Sequence, residues 1–283
     1  MRFVKMNGAG NDFIIIDDRD GALDADQLSS LAKVVCRRRL SVGADGLMAV
    51  VEPTGDADFR MLFFNADGSL GEMCGNGARC ICRYGYEFGL AGERQRIETT
   101  AGLVTGERID RRNYRIRLNE PSVLETEYPV TLDGKSWPCA YVELGNPGLP
   151  HAVLPMRGLR DMDFASLLPL GRALRSHPAF PKGANVNFYE RIGPDHLLLK
   201  TYERGVEDFT YACGTGTGST VAVLTVLGLV SGTHVTADMA GGRLFVDVTR
   251  DGGRITDLYL TGPTNMVLQG ELTDETLFGD PKE

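Results

Sequence analysis

Hydrophobic positions along the chain follow two periods. Leu28, Leu31 and Val35 recur at the spacing of one helical face, as do Leu167, Leu170 and Leu174. A turn of 3.6 residues stacks positions three and four apart, so both segments predict amphipathic helices. Runs rich in β-branched and aromatic residues predict strands over 13–17, 47–51 and 59–64, and again over 152–154, 186–189 and 197–202. Two further segments, 74–90 and 213–230, predict helices that are apolar around most of their circumference. Ile81, Tyr84 and Phe88 mark the first; Val221, Ala222, Val223, Leu224, Val226 and Leu227 mark the second. A helix of that kind is surrounded by other elements. Hairpin material follows each of them, over 95–117 and 234–260.

The two apolar segments open on related turns. Cys74-Gly75-Asn76-Gly77 leads one and Cys213-Gly214-Thr215-Gly216 the other, and the cysteines stand 139 positions apart. The same displacement carries Asn7-Gly8-Ala9-Gly10-Asn11-Asp12 onto Asn146-Pro147-Gly148-Leu149-Pro150-His151, and the first amphipathic face onto the second. Ala101-Gly102-Leu103 falls close to Gly241-Gly242-Arg243-Leu244, and Asn119-Glu120-Pro121 meets Thr261-Gly262-Pro263 after a three-residue slip. Landmarks at nearly one offset indicate a duplicated chain. The expected fold class is α/β in the α+β sense: two pseudo-symmetric domains, each a mainly antiparallel curled sheet around a central helix. The domains are expected over 1–119 and 120–263, with 264–283 returning to the first as an extra strand.

Composition narrows the class. A chain of 283 residues, 42% hydrophobic and 24% charged, is long enough for two domains with buried cores. Its net charge of −8 argues against a general nucleic-acid partner, which needs clustered Lys and Arg. The apolar stretch 221–230 is too short to cross a bilayer. The opening Met1-Arg2-Phe3-Val4-Lys5-Met6-Asn7 has no apolar signal core, so a cytoplasmic protein with a small-molecule substrate and no membrane partner is expected. Cys36, Cys74, Cys80, Cys82, Cys139 and Cys213 are too sparse for a disulfide framework. With no CxxC pair and scattered histidines, no metal site is expected. Most of these thiols suit small buried apolar positions.

Cys74 and Cys213 do not. Each stands where a helix begins, and the first amides of a helix lack internal partners and carry partial positive charge. A thiol there can have its pKa lowered from about 8.5 into the range of roughly 3.5 to 7.5. The adjoining glycines let the backbone approach an anion and aim N–H groups at it. In a duplicated chain, equivalent points meet on the pseudo-twofold axis. Two thiols on opposite faces of one carbon suit inversion: one removes an α-proton and the other delivers a proton to the far side. No Walker pattern is present and nothing in the motifs calls for pyridoxal phosphate, so a reaction without a cofactor is expected.

Three groups of residues carry a resemblance that spans essentially the whole chain. They are Lys5-Met6-Asn7-Gly8-Ala9-Gly10-Asn11-Asp12-Phe13; Phe64-Asn65-Ala66-Asp67-Gly68-Ser69 with Cys74-Gly75-Asn76-Gly77-Ala78-Arg79-Cys80; and Tyr202-Glu203-Arg204-Gly205 with Ala212-Cys213-Gly214-Thr215-Gly216. Together they resemble the diaminopimelate epimerase family. The resemblance implies interconversion of LL- and meso-2,6-diaminopimelate, in lysine and peptidoglycan precursor supply, with Cys74 and Cys213 as the acid–base pair. It implies that Gly75, Asn76, Gly214 and Thr215 hold the reacting carboxylate through their amides. Asn65, Asn146, Asn185 and Arg204 are implied at the distal amino-acid end, Asn11 as a further substrate contact, and His151 and Glu203 as residues that tune the thiols, Glu203 also lying against substrate. Taken singly, Asn146 and Asn185 also suit turns, Glu203–Arg204 a surface ion pair, and His151 a satisfied structural imidazole.

Departures from the family pattern keep an alternative open. Gly148-Leu149-Pro150 separates Pro147 from His151 where the family has Gly-Asn-Pro-His, so Asn146 or His151 is displaced. Gly46 stands where a substrate-contacting Gln is common, which removes a side chain from the site, and Thr217 replaces an Ala. A homodimer is a candidate assembly, but a tyrosine tied to dimer contact in some members aligns with Leu268, which leaves its interface open. The alternative is a related cofactor-independent racemase acting on another amino acid. A non-catalytic amino-acid binder and a PhzF-like isomerase are the readings from other classes; the latter type lacks the cysteine pair.

Overall fold

The computed structural model describes residues 1–71 and 74–273. In chain order the elements are β1 (Arg2–Gly8), β2 (Asn11–Asp17), α1 (Ala25–Val35), β3 (Gly46–Val51), β4 (Phe59–Asn65), α2 (Gly75–Glu87), β5 (Arg94–Thr99), β6 (Gly102–Arg108) and β7 (Asn113–Arg117). They continue as β8 (Pro121–Glu125), β9 (Val130–Leu132), β10 (Lys135–Trp137), β11 (Ala140–Leu144), β12 (Leu149–Pro155), α3 (Phe164–Arg175), β13 (Asn185–Gly193), β14 (His196–Glu203) and β15 (Asp208–Thr210). The last are α4 (Gly214–Val226), β16 (Val235–Met239), β17 (Gly242–Asp251), β18 (Arg254–Pro263) and β19 (Asn265–Glu271). The chain forms two compact units: Met1–Ile116 with the segment from Gly262 onward, and Arg117–Thr261. Of the strand expected over 264–283, residues 274–283 lie outside the described residues.

Each unit has its own sheet, and the two sheets have one topology. In the first, the strand order is β19-β1-β2-β3-β4-β5-β6-β7, parallel at β2–β3 and β4–β5 and antiparallel elsewhere. In the second it is β8-β11-β12-β13-β14-β16-β17-β18, parallel at β12–β13 and β14–β16 and antiparallel elsewhere. Parallel neighbours need a crossover, and each of the four parallel steps is bridged by a helix. β15 adds to β14, and β9–β10 is a separate hairpin. The sheets are thus mixed but mainly antiparallel, in an α/β fold built twice. Leu268 lies on β19 opposite Lys5 and is exposed.

α1 and α3 form because each carries one apolar face and an acidic N-cap. The Asp24 side chain accepts from Gln27 N while Gln27 reaches back to the Asp24 amide, a capping box. Asp163 accepts from Ser166 N at the start of α3. Leu28, Leu31 and Val35 in α1, and Leu167 and Leu174 in α3, are buried; Leu170 packs half-buried against the same core.

α2 and α4 are the central helices. α2 packs on β1, β2 and β6; α4 packs on β8, β11, β12, β13 and β17. Both stop short of the apolar segments that predicted them, at Glu87 and Val226 rather than at 90 and 230. The cause is a glycine. Gly89 and Gly228 take the left-handed conformation, with φ of 70° and 67°. The next amides then bond backward, Leu90 N to Gly85 O and Leu229 N to Leu224 O. That closes a Schellman motif and ends the helix. Phe88, expected on the buried face, consequently falls at the cap and is exposed, stacked on Tyr84 at 4.3 Å. Among the described residues, no helix is long and apolar enough to cross a membrane.

Candidate active site

Cys74 and Cys213 are the N-caps of α2 and α4, both in extended backbone. In the first unit, Gly75, Asn76 and Gly77 form the buried opening turn of α2. The Asn76 amide donates from Nδ2 to Asn11 Oδ1 at 2.7 Å, and Asn11 Nδ2 donates to Asp45 Oδ2 at 3.0 Å. At its other end Asn76 Oδ1 accepts from Arg79 Nη2 at 2.8 Å. A guanidinium only donates and a carboxylate only accepts, so Arg79 and Asp45 between them fix both amide orientations. Asn65, closing β4, donates to Ser69 Oγ at 2.9 Å. Asn11, Asn76 and Arg79 are thus joined by hydrogen bonds at the opening turn of α2, next to Cys74 and Gly75.

Arg79 is a member that sequence reading passed over. It is fully buried and donates to Gly75 O and Asn76 Oδ1, and burial pushes its pKa down to about 10. A buried cation facing the cap of its own helix favours an anion there. The available signal is the Arg-Cys pair that closes Cys-Gly-Asn-Gly-Ala-Arg-Cys, inside an otherwise apolar segment.

In the second unit, Cys213 Sγ accepts from Gly216 N at 3.3 Å and lies 3.5 Å from Thr215 Oγ1. Glu203, at the end of β14, also bonds the Cys213 side chain. Burial pushes the Glu203 carboxyl up, against hydrogen bonds from Thr210 and Cys213 that lower it. Thr210 Oγ1 donates to Glu203 Oε1. Thr217, the departure behind the cysteine, turns its hydroxyl to Cys213 O at 2.7 Å. Asn185 Oδ1 accepts from Arg204 N at 2.9 Å, and Asn185 Nδ2 donates to Pro150 O at 3.2 Å. Arg204 does not pair with Glu203; its Nη1 donates to Lys182 O at 2.9 Å and the side chain is otherwise exposed.

The inserted Gly148-Leu149-Pro150 lengthens the β11–β12 hairpin. Leu149 pairs with Leu144 and Pro150 with Glu143, and a side chain at Gly148 would strike Glu143 Oε2 at 2.2 Å. His151 therefore stays inside β12 beside Asn185, while Asn146 stands exposed in the turn past the last paired residues. The expected match of His151 to Asp12 shifts by one. Phe13 pairs with Gly46 as His151 pairs with Asn185, so His151 is the counterpart of Phe13. Gly46 leaves no gap either: a Cβ there would meet Phe63 Cε2 at 2.4 Å and Phe64 O at 2.6 Å, so the ring of Phe63 fills the space. The other four thiols are buried, and burial pushes Cys36, Cys80, Cys82 and Cys139 each up to about 12, where they are inert.

Comparison with known proteins bears on this arrangement. The family model described as diaminopimelate epimerase matches residues 3–122 and 144–267. A diaminopimelate epimerase of Aquifex aeolicus (strain VF5) is 39% identical over 287 residues, covering 98% of this chain and 99% of that one. One of Archaeoglobus fulgidus is 37% identical over 280 residues, covering 95% of each. Among solved structures, a probable proline racemase from Agrobacterium radiobacter K84 superposes with a TM-score of 0.69 at 17% identity, over 98% of this chain and 95% of that one. A PhzF family protein from Enterococcus faecalis does so with a TM-score of 0.67 at 13% identity, over 96% and 98%. These two share the fold.

Proposed function

The chain belongs to the diaminopimelate epimerase family, and we propose that it interconverts LL- and meso-2,6-diaminopimelate by two-base proton transfer, one of Cys74 and Cys213 removing the α-proton and the other supplying a new proton. It is an enzyme of the cofactor-independent epimerase class. The observation that supports the residue assignment is the duplicated cap: a thiol begins each of the two central helices, at equivalent points of one repeated topology.

In this reading one thiolate takes the α-proton and the second thiol returns a proton to the opposite face. Negative charge grows on the substrate carboxylate as the proton leaves. The amides of Gly75, Asn76, Gly214 and Thr215 are fixed donors for it, and donors aimed at developing charge are worth most in a dry site. Glu203, bonded to Cys213 and to Thr210, holds the proton inventory of that thiol. Arg79 favours the anionic form at the other cap. Asn65, Asn146, Asn185 and Arg204 are assigned to the distal amino-acid group and Asn11 to a further polar contact. Gly46, whose space Phe63 fills, carries no separate argument for a different substrate. Six cysteines, two of them assigned as reactive thiols, suit a reducing compartment, which supports a cytoplasmic location.

Chiral chromatography of LL-diaminopimelate incubated with the purified protein, beside a panel of single amino acids, tests the reading. The expected result is an LL and meso mixture without added cofactor. Cys74→Ala and Cys213→Ala should each lower the rate by about 10³-fold, within the range for a lost acid–base group. Racemisation of a single amino acid without diaminopimelate turnover would replace the substrate by that of the related racemase.

A further inference from the structure

The two units fill one equivalent position in opposite ways. Phe13 and Met48 lie on neighbouring strands of the first sheet, Phe13 pairing with Gly46 and Met48 with Ile15. A side chain at Gly77, in the first turn of α2, would strike Met48 Cε at 2.4 Å and lie 3.4 Å from Phe13 Cζ. The counterparts in the second sheet are His151 and Asn187, and a side chain at Gly216 would strike Asn187 Oδ1 at 2.1 Å. All four residues are buried, His151 and Asn187 completely. The fold therefore accepts an apolar pair beneath the central helix. A polar pair in its place is not required by packing, and burying it has a cost that only use of its hydrogen bonds offsets.

The hydrogen bonds around Asn187 have one consistent polarity. Asn187 Nδ2 lies 3.0 Å from Ala152 O and 3.4 Å from Asn185 O, and carbonyls only accept, so that end of the amide is the nitrogen. The oxygen end accepts from Thr201 Oγ1 at 3.0 Å. Asn187 Nδ2 also faces His151 Nδ1 at 3.3 Å. The two N–H of Nδ2 are shared among these three neighbours, and an amide nitrogen cannot accept, so a proton on Nδ1 would face it without an acceptor and the ring is bare there. The remaining proton of the neutral ring is then on Nε2, which is buried with no hydrogen-bond partner among the described residues. A buried N–H left without an acceptor costs about 1–3 kcal/mol, a cost that an acceptor brought by the reaction would offset.

We propose that Asn187 is a positioning residue that locks His151 in the Nε2–H tautomer, making His151 a fixed neutral hydrogen-bond donor to an anion at the reaction centre, a thiolate or carboxylate, rather than a carrier of protons. Protonating Nδ1 would set two donors against each other, so the imidazolium is opposed by geometry as well as by burial. Arg204, the charged group that acts on His151, works in the same direction. The use of that donor in turnover rests on the epimerase reading; the tautomer does not.

Nitrogen NMR of histidine-labelled protein at about pH 7 reads the tautomer directly, and the resonance that disappears in His151→Gln assigns His151 among the four histidines. The expected spectrum has His151 protonated on Nε2 and bare on Nδ1, with Asn187→Ser releasing a mixture of tautomers. Activity supplies the second arm. His151→Leu should lower kcat by about 10²-fold, the scale of one lost donor. His151→Gln, whose amide nitrogen reproduces the Nε2–H position without a titratable group, should recover at least about tenfold of that loss. An Nδ1–H ring or an imidazolium in the wild-type protein overturns the proposal, as does a His151→Gln variant no better than His151→Leu. If the wild-type protein turns over no diaminopimelate, the epimerase reading fails and the spectrum alone decides the tautomer.

Discussion

Replacing His151 by Gln also has a consequence for stability that can be worked from its burial. Desolvation first, and the charge of Arg204 second, push the imidazole pKa down to about 3 from an ordinary 6.5. Between those values the unfolded chain binds a proton that the folded chain refuses. The stability tied to this residue is complete above the unfolded pKa and is lost as pH falls from about 6.5 toward 3. Each unit of displaced titration is worth about 1.4 kcal/mol, so the step from about pH 7 to pH 5 costs the wild-type protein about 2 kcal/mol through His151 alone. Urea unfolding at both pH values, on wild type and His151→Gln, measures it. The variant should lose about 2 kcal/mol less than wild type over the same step. Glu203 and the other carboxylates titrate in both proteins and cancel in the comparison. Equal losses in the two proteins would refute the claim that the folded state holds this ring neutral.

Three further outcomes follow from the same geometry. Arg79→Met keeps the buried volume and removes the charge beneath the Cys74 cap; alkylation of Cys74 at neutral pH should slow by about tenfold, one pKa unit, while stability changes little or rises. Gly216→Ala and Gly77→Ala set equal insults against unequal neighbours. The first meets the tethered Asn187 amide at 2.1 Å and the second the flexible end of Met48 at 2.4 Å, so urea unfolding should show Gly216→Ala as the costlier, by about 1–3 kcal/mol. Thr210→Val removes the hydroxyl whose hydrogen bond lowers the Glu203 pKa, so the acidic limb of the kcat/KM profile should move to higher pH.

Local periodicity made much of this fold legible. The faces of α1 and α3, the strands on either side of them and the turns that begin α2 and α4 are all set by residues within a few positions of one another. The repeat was legible through landmarks, because glycines and caps constrain backbone wherever they occur. What escaped depends on tertiary register. The partner of His151 is Asn187, 36 residues away across α3, and only the β12–β13 alignment brings them together. The three-residue insertion hid the fact that His151 sits at the position of Phe13, since an offset counted along the chain cannot tell a lengthened hairpin from a shifted residue. Ile81, Tyr84 and Phe88 point to all-round burial of α2, yet Arg79 and Arg83 are buried there too, each bonded to carbonyls or an amide that no pattern announces. Gly46 looked like a missing contact because composition does not show that Phe63 occupies the space.

Deuterium incorporation during epimerisation in heavy water tests the two-thiol account most directly. LL-diaminopimelate is incubated with enzyme for a small fraction of one conversion, and deuterium at the α-carbon is measured separately in remaining substrate and in product. A proton removed by one thiol and replaced by the other predicts one solvent deuterium in each meso product molecule, with the unreacted LL substrate still protiated. Deuterium entering substrate as fast as product, or product that keeps the original proton, would contradict it.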